Sequence, residues 1–177
     1  MLMLVIKLQK DPGSDNAPVE DQVSVAVGNP SCNFELNDCG FDQNIAGDVF
    51  DWKRNRDYDH TTGYGYSFTI NGNGQSPKDN AMFKTTGLIP ASGGNLRFYI
   101  HTADNSKRQK PTQLKIDLLP TGMPRQTFFT YTGPSGDGWV EVNVGISYYN
   151  SFQFLFEGII GSSGSDITID DMVWTPY

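Results

Sequence analysis

The sequence predicts an all-β protein, a sandwich of two antiparallel sheets, on three observations. Glycine and proline, at 19 and 10 of 177 residues, are scattered so widely that few stretches could continue as helix. Short runs alternate apolar and polar residues with period two. Clusters of Gly, Pro, Asn and Asp separate those runs at short, regular intervals, as in sandwiches. The length suits one domain with a sizeable core, preceded by a tail.

In chain order, the apolar head Met1–Ile6 is far shorter than a membrane span or the apolar region of a secretory signal. It leaves three readings open: an added edge strand, the remnant of a preceding domain, or a vector-derived addition. A linker-like Asp11–Asp21 and a β-rich Gln22–Val27 follow, so residues 1–29 form an N-terminal extension and residues 30–177 the sandwich. Its candidate strands are Asn33–Leu36, Gly65–Ile70, Asn80–Thr85, Leu96–His101, Gln113–Leu118, Thr127–Tyr131, Trp139–Val144, Ser151–Glu157 and Asp166–Val173. Alternation assigns the faces. Leu96, Phe98 and Ile100 turn inward against Arg97, Tyr99 and His101; Leu114, Ile116 and Leu118 against Lys115 and Asp117; Phe152, Phe154 and Phe156 against Gln153 and Glu157. Val140, Val142 and Val144 do the same against Glu141 and Asn143, and Phe34 and Leu36 against Glu35.

Charge excludes one class of partner. The chain carries a formal charge of −7, and its basic cluster of Lys107, Arg108 and Lys110 lies in a loop, whereas nucleic-acid binding needs a basic face. Acidic, glycine-rich β domains of this kind are typical outside the cell, where Ca²⁺ is abundant. Asn29-Pro30-Ser31 is disqualified as a glycosylation site by its proline, and no membrane insertion is expected.

The stretch Cys32–Gly65 holds both cysteines, a dense set of carboxylates, Trp52 and His60. The spacing of Cys32 and Cys39 suits a disulfide closing a short loop and does not suit a four-ligand zinc site; two reduced cysteines are the competing reading. The motifs Cys32-Asn33-Phe34-Glu35, Cys39-Gly40-Phe41-Asp42-Gln43, Phe50-Asp51-Trp52 and Asp59-His60-Thr61-Thr62-Gly63-Tyr64-Gly65 occur in that order. Phe154-Leu155-Phe156-Glu157-Gly158 and Asp166-Ile167-Thr168-Ile169-Asp170-Asp171 follow. Over residues 32–177 the series resembles MAM domains, the extracellular adhesion modules of meprins, neuropilins and receptor tyrosine phosphatases. The resemblance implies a jelly roll without catalytic activity that mediates adhesion or oligomerisation. One feature departs from the family: the second disulfide has no partners here, Asn95 standing at the first position, which points to a divergent member.

Glu35, Asp51, Asp59, Asp170 and Asp171 come from opposite ends of the chain, and the first and last strands of a jelly roll commonly lie side by side. Carboxylates brought together without Lys or Arg partners repel, and a Ca²⁺ ion relieves that repulsion. The competing reading has these acids capping turns and pairing with Lys53, Arg54 or Arg56. The resemblance favours a structural ion. His60, in a polar turn, reads as a hydrogen bonder holding its loop.

Enzyme signatures are missing: no HExxH, no Gly-x-Ser-x-Gly and no Glu-x-Asp-x-x-Glu pair of glycosidase acids occurs. The first expectation is therefore a recognition or adhesion module of a larger extracellular protein. Its partners would be homophilic or heterophilic proteins, met through loops such as Asp104–Pro111 and Pro120–Arg125. The alternative is a carbohydrate-binding module, with Tyr58, Tyr148 and Tyr149 as rings for stacking on sugars and Trp52 assigned to the core.

Overall fold

A computed structural model describes residues 5–10, 28–56, 58–103 and 111–177. The β-rich Gln22–Val27 and the loop residues 104–110, with their basic cluster, lie outside the described residues. Among the described residues ten strands form two antiparallel sheets: β1 Val5–Lys10, β2 Lys53–Asn55, β3 Ser67–Asn71, β4 Asn80–Lys84, β5 Gly94–Ala103, β6 Gln113–Pro120, β7 Gln126–Thr132, β8 Val140–Ile146, β9 Phe152–Ile159 and β10 Asp166–Pro176. One sheet has the order β1-β8-β5-β10-β3-β2 and the other β4-β9-β6-β7. The chain crosses between sheets at nearly every step from β3 to β10, which is the jelly roll. β3 and β10, far apart in sequence, are neighbours, pairing Ile169 with Phe68 and Asp166 with Asn71.

The period-two rule fixes the core. Leu96, Phe98 and Ile100 of β5, Leu114, Ile116 and Leu118 of β6, and Phe152, Phe154 and Phe156 of β9 are fully buried. Each such side chain contributes about 1.5–3 kcal/mol before entropy is counted. An aromatic column runs through this core: Phe34 stacks on Phe68 at 5.1 Å, Phe68 on Trp52 at 5.7 Å, and Phe83 on Phe156 at 4.6 Å. Trp52 is core, as its place in the signature implied, and donates Nε1–H to the Ala81 carbonyl. β9 approaches it closely enough that a Cβ on Gly158 would sit 2.9 Å from Trp52 Cζ2.

Two expectations fail for identifiable reasons. Residues 33–36 form no strand: Phe34 has φ +58°, which breaks the alternation, so Phe34 is buried while Leu36 is 67% exposed. Asp117, assigned to the solvent face, is completely buried, because Arg125 folds over it and bonds through Nε while Nη2 reaches Glu157 at 2.5 Å.

Candidate functional site

The acidic signature residues meet on the outer face of the six-stranded sheet. β10 is central there, and Asp170 pairs with Tyr99 of β5, an outward position. A register shift follows between Asp170 and Val173, and Asp171 takes φ +47°, so Asp170 keeps the alternation and Asp171 escapes it, which leaves both carboxylates on the outer face. The loop of residues 58–66 is laid over this point. Its His60 ring stacks on Tyr99 with centroids 3.5 Å apart.

Carboxylates hold that loop from below. Asp170 accepts the His60 backbone N–H at 2.9 Å and the Asp171 N–H at 2.7 Å. Asp171 Oδ2 lies 2.7 Å from His60 Nδ1 and accepts the Thr61 hydroxyl at 2.7 Å. Asp59 Oδ2 accepts the Thr62 N–H, the Thr62 hydroxyl and the Gly63 N–H at 2.6, 2.7 and 3.0 Å. Glu35 Oε1 accepts the Tyr66 N–H at 3.1 Å. His60 thus holds the loop, as its setting in a polar turn suggested.

The electrostatics are those of crowded acids. Asp170 is fully buried, and its pKa is pushed up to about 9 by that burial and then by the charge of Asp171. Burial also raises Glu35, with Asp59 adding to the effect. Burial pushes Asp59 the same way, but the Thr62 backbone and hydroxyl bonds outweigh it and hold the carboxyl below its ordinary value. Asp59 Oδ1 is buried and receives no hydrogen bond. Gly65 lets two acids approach, since a Cβ there would lie 2.2 Å from Glu35 Oε1 and 2.9 Å from Asp59 Oδ1.

The basic residues offset this cluster only in small part, through the charge of Arg54 on Glu35. Arg54 stacks on the Tyr66 ring at 3.3 Å and donates to the backbone carbonyls of Phe34 and Glu35. Asp51 is exposed beside Trp52 and shares in none of the cluster's hydrogen bonds. Among the described residues no three acidic, His or Cys side chains stand ready grouped as metal ligands. The donor chemistry nonetheless suits a hard cation: Glu35, Asp59 and Asp170 offer oxygen only, one oxygen is orphaned, and one carboxyl holds its proton for want of positive charge.

The remaining candidates are dispersed. The Cys32–Cys39 disulfide joins Cα atoms 6.0 Å apart, and Cys32 bridges to Met172 of β10, fastening the start of the domain beside the acids. Tyr58 is 39% exposed and borders the acidic loop. Tyr148 packs edge-on against Phe152 at 5.9 Å, and Tyr149 is 80% exposed on the β8–β9 loop, both away from the acids in sequence and sheet. Tyr99 was missed as a site residue, and Trp139 counted only as one of the chain's eight candidate stacking aromatics, behind Tyr58, Tyr148 and Tyr149. Tyr99 carried a signal, lying on the outward face opposite the core residues of β5.

A family model described as the MAM domain, meprin/A5/mu, matches residues 32–176. Among solved structures, the K1 cleaved adhesin domain of Lys-gingipain from Porphyromonas gingivalis W83 is similar at TM-score 0.61 and 14% identity, over 83% of this chain and 97% of that one. A family 29 carbohydrate-binding module variant complexed with cellulohexaose is similar at TM-score 0.51 and 16% identity, over 85% and 89%. Another variant of a family 29 module reaches TM-score 0.51 at 15% identity, over 98% and 92%. At such identities these three share the fold alone.

Proposed function

The chain belongs to the MAM domain family, and from that premise we propose that it serves as a non-catalytic recognition and adhesion module, displayed outside the cell within a larger protein. A single observation carries the reading: the chemically conspicuous acids are consumed by the fold. Asp170 is fully buried, Asp59 is 4% exposed, and both bind the backbone of the loop laid over them, so neither can reach a substrate. The disulfide accords with an oxidising compartment. No helix among the described residues is long and apolar enough to cross a membrane. The fold is shared with an adhesin domain and with carbohydrate-binding modules, all recognition modules.

Glu35, Asp59 and Asp170 would hold a structural Ca²⁺, with Asp171 keeping His60 and Thr61 in place rather than serving mainly as a ligand. The ion supplies the positive charge that the ionised carboxyls need. The exposed Asp51 is not included. The test is bead aggregation and cell-surface binding by the purified chain in Ca²⁺ and in EDTA. Self-association or surface binding that fades on chelation is expected. Failure to bind in either condition, or turnover of a glycoside or peptide substrate, would refute the reading.

A further inference from the structure

We propose that the outer face of the six-stranded sheet carries a platform for a neutral pyranose, built on the rings of Tyr58, Trp139 and His101. The proposal deepens the recognition reading and rests on it. The Tyr58 ring stacks on Trp139 with centroids 5.3 Å apart at 24°, and it leans on His101 at 4.3 Å. Trp139 and His101 lie 5.9 Å apart, so the three rings form one continuous patch. His101 alternates outward from the buried Ile100, and Trp139 shares the parity of Glu141, which pairs with outward-facing Tyr99. All three rings stand outside the hydrophobic core that encloses Trp52.

Three physical features suit this patch to a sugar. Aromatic rings left partly exposed on a sheet offer the apolar surface on which the C–H face of a pyranose stacks, and Tyr58 keeps 39% of its surface open. Hydrogen-bonding groups adjoin it: His101 pairs with Thr168 and Thr168 with Thr69, whose hydroxyls are 3.1 Å apart, and Asp166 is close enough to act electrostatically on His101. Thr168 is buried, so the groups left to meet sugar hydroxyls on this face of the sheet are the partly exposed Thr69, His101 and Asp166.

The third feature is preorganisation. Tyr58 directly precedes Asp59, whose carboxylate anchors the loop, and the Tyr58 carbonyl accepts the Ser67 hydroxyl. A ring fixed in advance loses little entropy when it binds. The net charge of −7 and the neighbouring Asp166 disfavour uronates and sulfated sugars, which leaves neutral glycans as the ligand class.

The full chain would be titrated with cello-, manno- and galactohexaose and with polygalacturonate, following indole and aromatic NMR resonances. Binding of at least one neutral hexaose with shifts at Trp139 and Tyr58 is expected. Tyr58→Ala and Trp139→Ala should each weaken it at least tenfold, with Tyr149→Ala unchanged. Circular dichroism of each variant confirms that loss of binding is not loss of fold, and the more exposed Tyr58 position carries the decision if Trp139→Ala unfolds. Silence to every neutral hexaose at millimolar concentration, binding that survives Tyr58→Ala, or preference for the polyuronate overturns the platform. Adhesion that persists without sugar binding would remove the platform and leave the recognition reading standing.

Discussion

Replacing Asp170 by Asn tests the acidic cluster most directly. In the metal-free chain Asp170 holds its proton up to about pH 9, whereas the unfolded carboxyl releases it near 3.8. The folded state therefore binds more protons over that interval. Stability from this group is fully present below about pH 4 and is lost as the pH rises toward 9. At about 1.4 kcal/mol per unit, the loss by pH 7 is at most about 4 kcal/mol. Asp59 works against it, because its depressed pKa adds stability above the ordinary carboxylate range and loses it on acidification. Asparagine removes the titration but accepts through only one atom, where Asp170 accepts the His60 and Asp171 N–H groups on separate oxygens. That change costs about 1–3 kcal/mol. In EDTA at pH 7 the variant should consequently equal or exceed the parent, by up to about 3 kcal/mol or roughly 6–12 °C in Tm. Its melting temperature should also fall less between pH 5 and pH 8. Saturating Ca²⁺ at about 100 times Kd should raise parent stability by about 2.7 kcal/mol and the variant by much less. Thermal melts over pH, with and without Ca²⁺, read both effects. Parallel pH profiles for the two proteins, or equal gains from Ca²⁺, would refute the reasoning.

Three further perturbations probe independent contacts. Gly65→Ala places a Cβ against Glu35 Oε1 and Asp59 Oδ1; Glu35 can turn aside only by giving up its Tyr66 bond, and buried Asp59 is held by three hydrogen bonds, so the expected effect is a lost Ca²⁺ response together with a lower EDTA melt, seen by the same assay. Arg125→Ala strips the partner from fully buried Asp117, and with Arg125 itself 40% exposed the cost is about 2–3 kcal/mol by urea unfolding; Arg125→Ala combined with Asp117→Asn should recover part of it, and no recovery would mean that the loss lies elsewhere. Reducing Cys32–Cys39, seven residues apart, should lower stability by about 2.5 kcal/mol in the chain-entropy model; an unchanged melt in dithiothreitol would show that the loop is fastened by the Met172 bridge instead.

The sequence by itself determined strands β3 to β10 and the core, while it left β1 open and did not show β2. Period-two alternation in β5, β6, β8 and β9 follows from the pleat, so the buried sets Leu96-Phe98-Ile100 and Phe152-Phe154-Phe156 could be read residue by residue. Cys32, Cys39 and the acids of the signature were visible as residue types, and the spacing of the motifs carried the family. Local rules stopped where the backbone left the pleat. Phe34 at φ +58° and the register shift after Asp170 redirected side chains that alternation would have placed elsewhere. Only the tertiary structure decided which charges meet. Pairing of β3 with β10 puts Asp59 beside Asp170 across more than a hundred residues, Arg54 is spent on carbonyls and a tyrosine ring, and Asp51 is left in solvent. Burial and charge proximity are properties of three-dimensional neighbourhoods, and they decide whether a carboxylate is a solvated surface group or, like Asp170, one that keeps its proton.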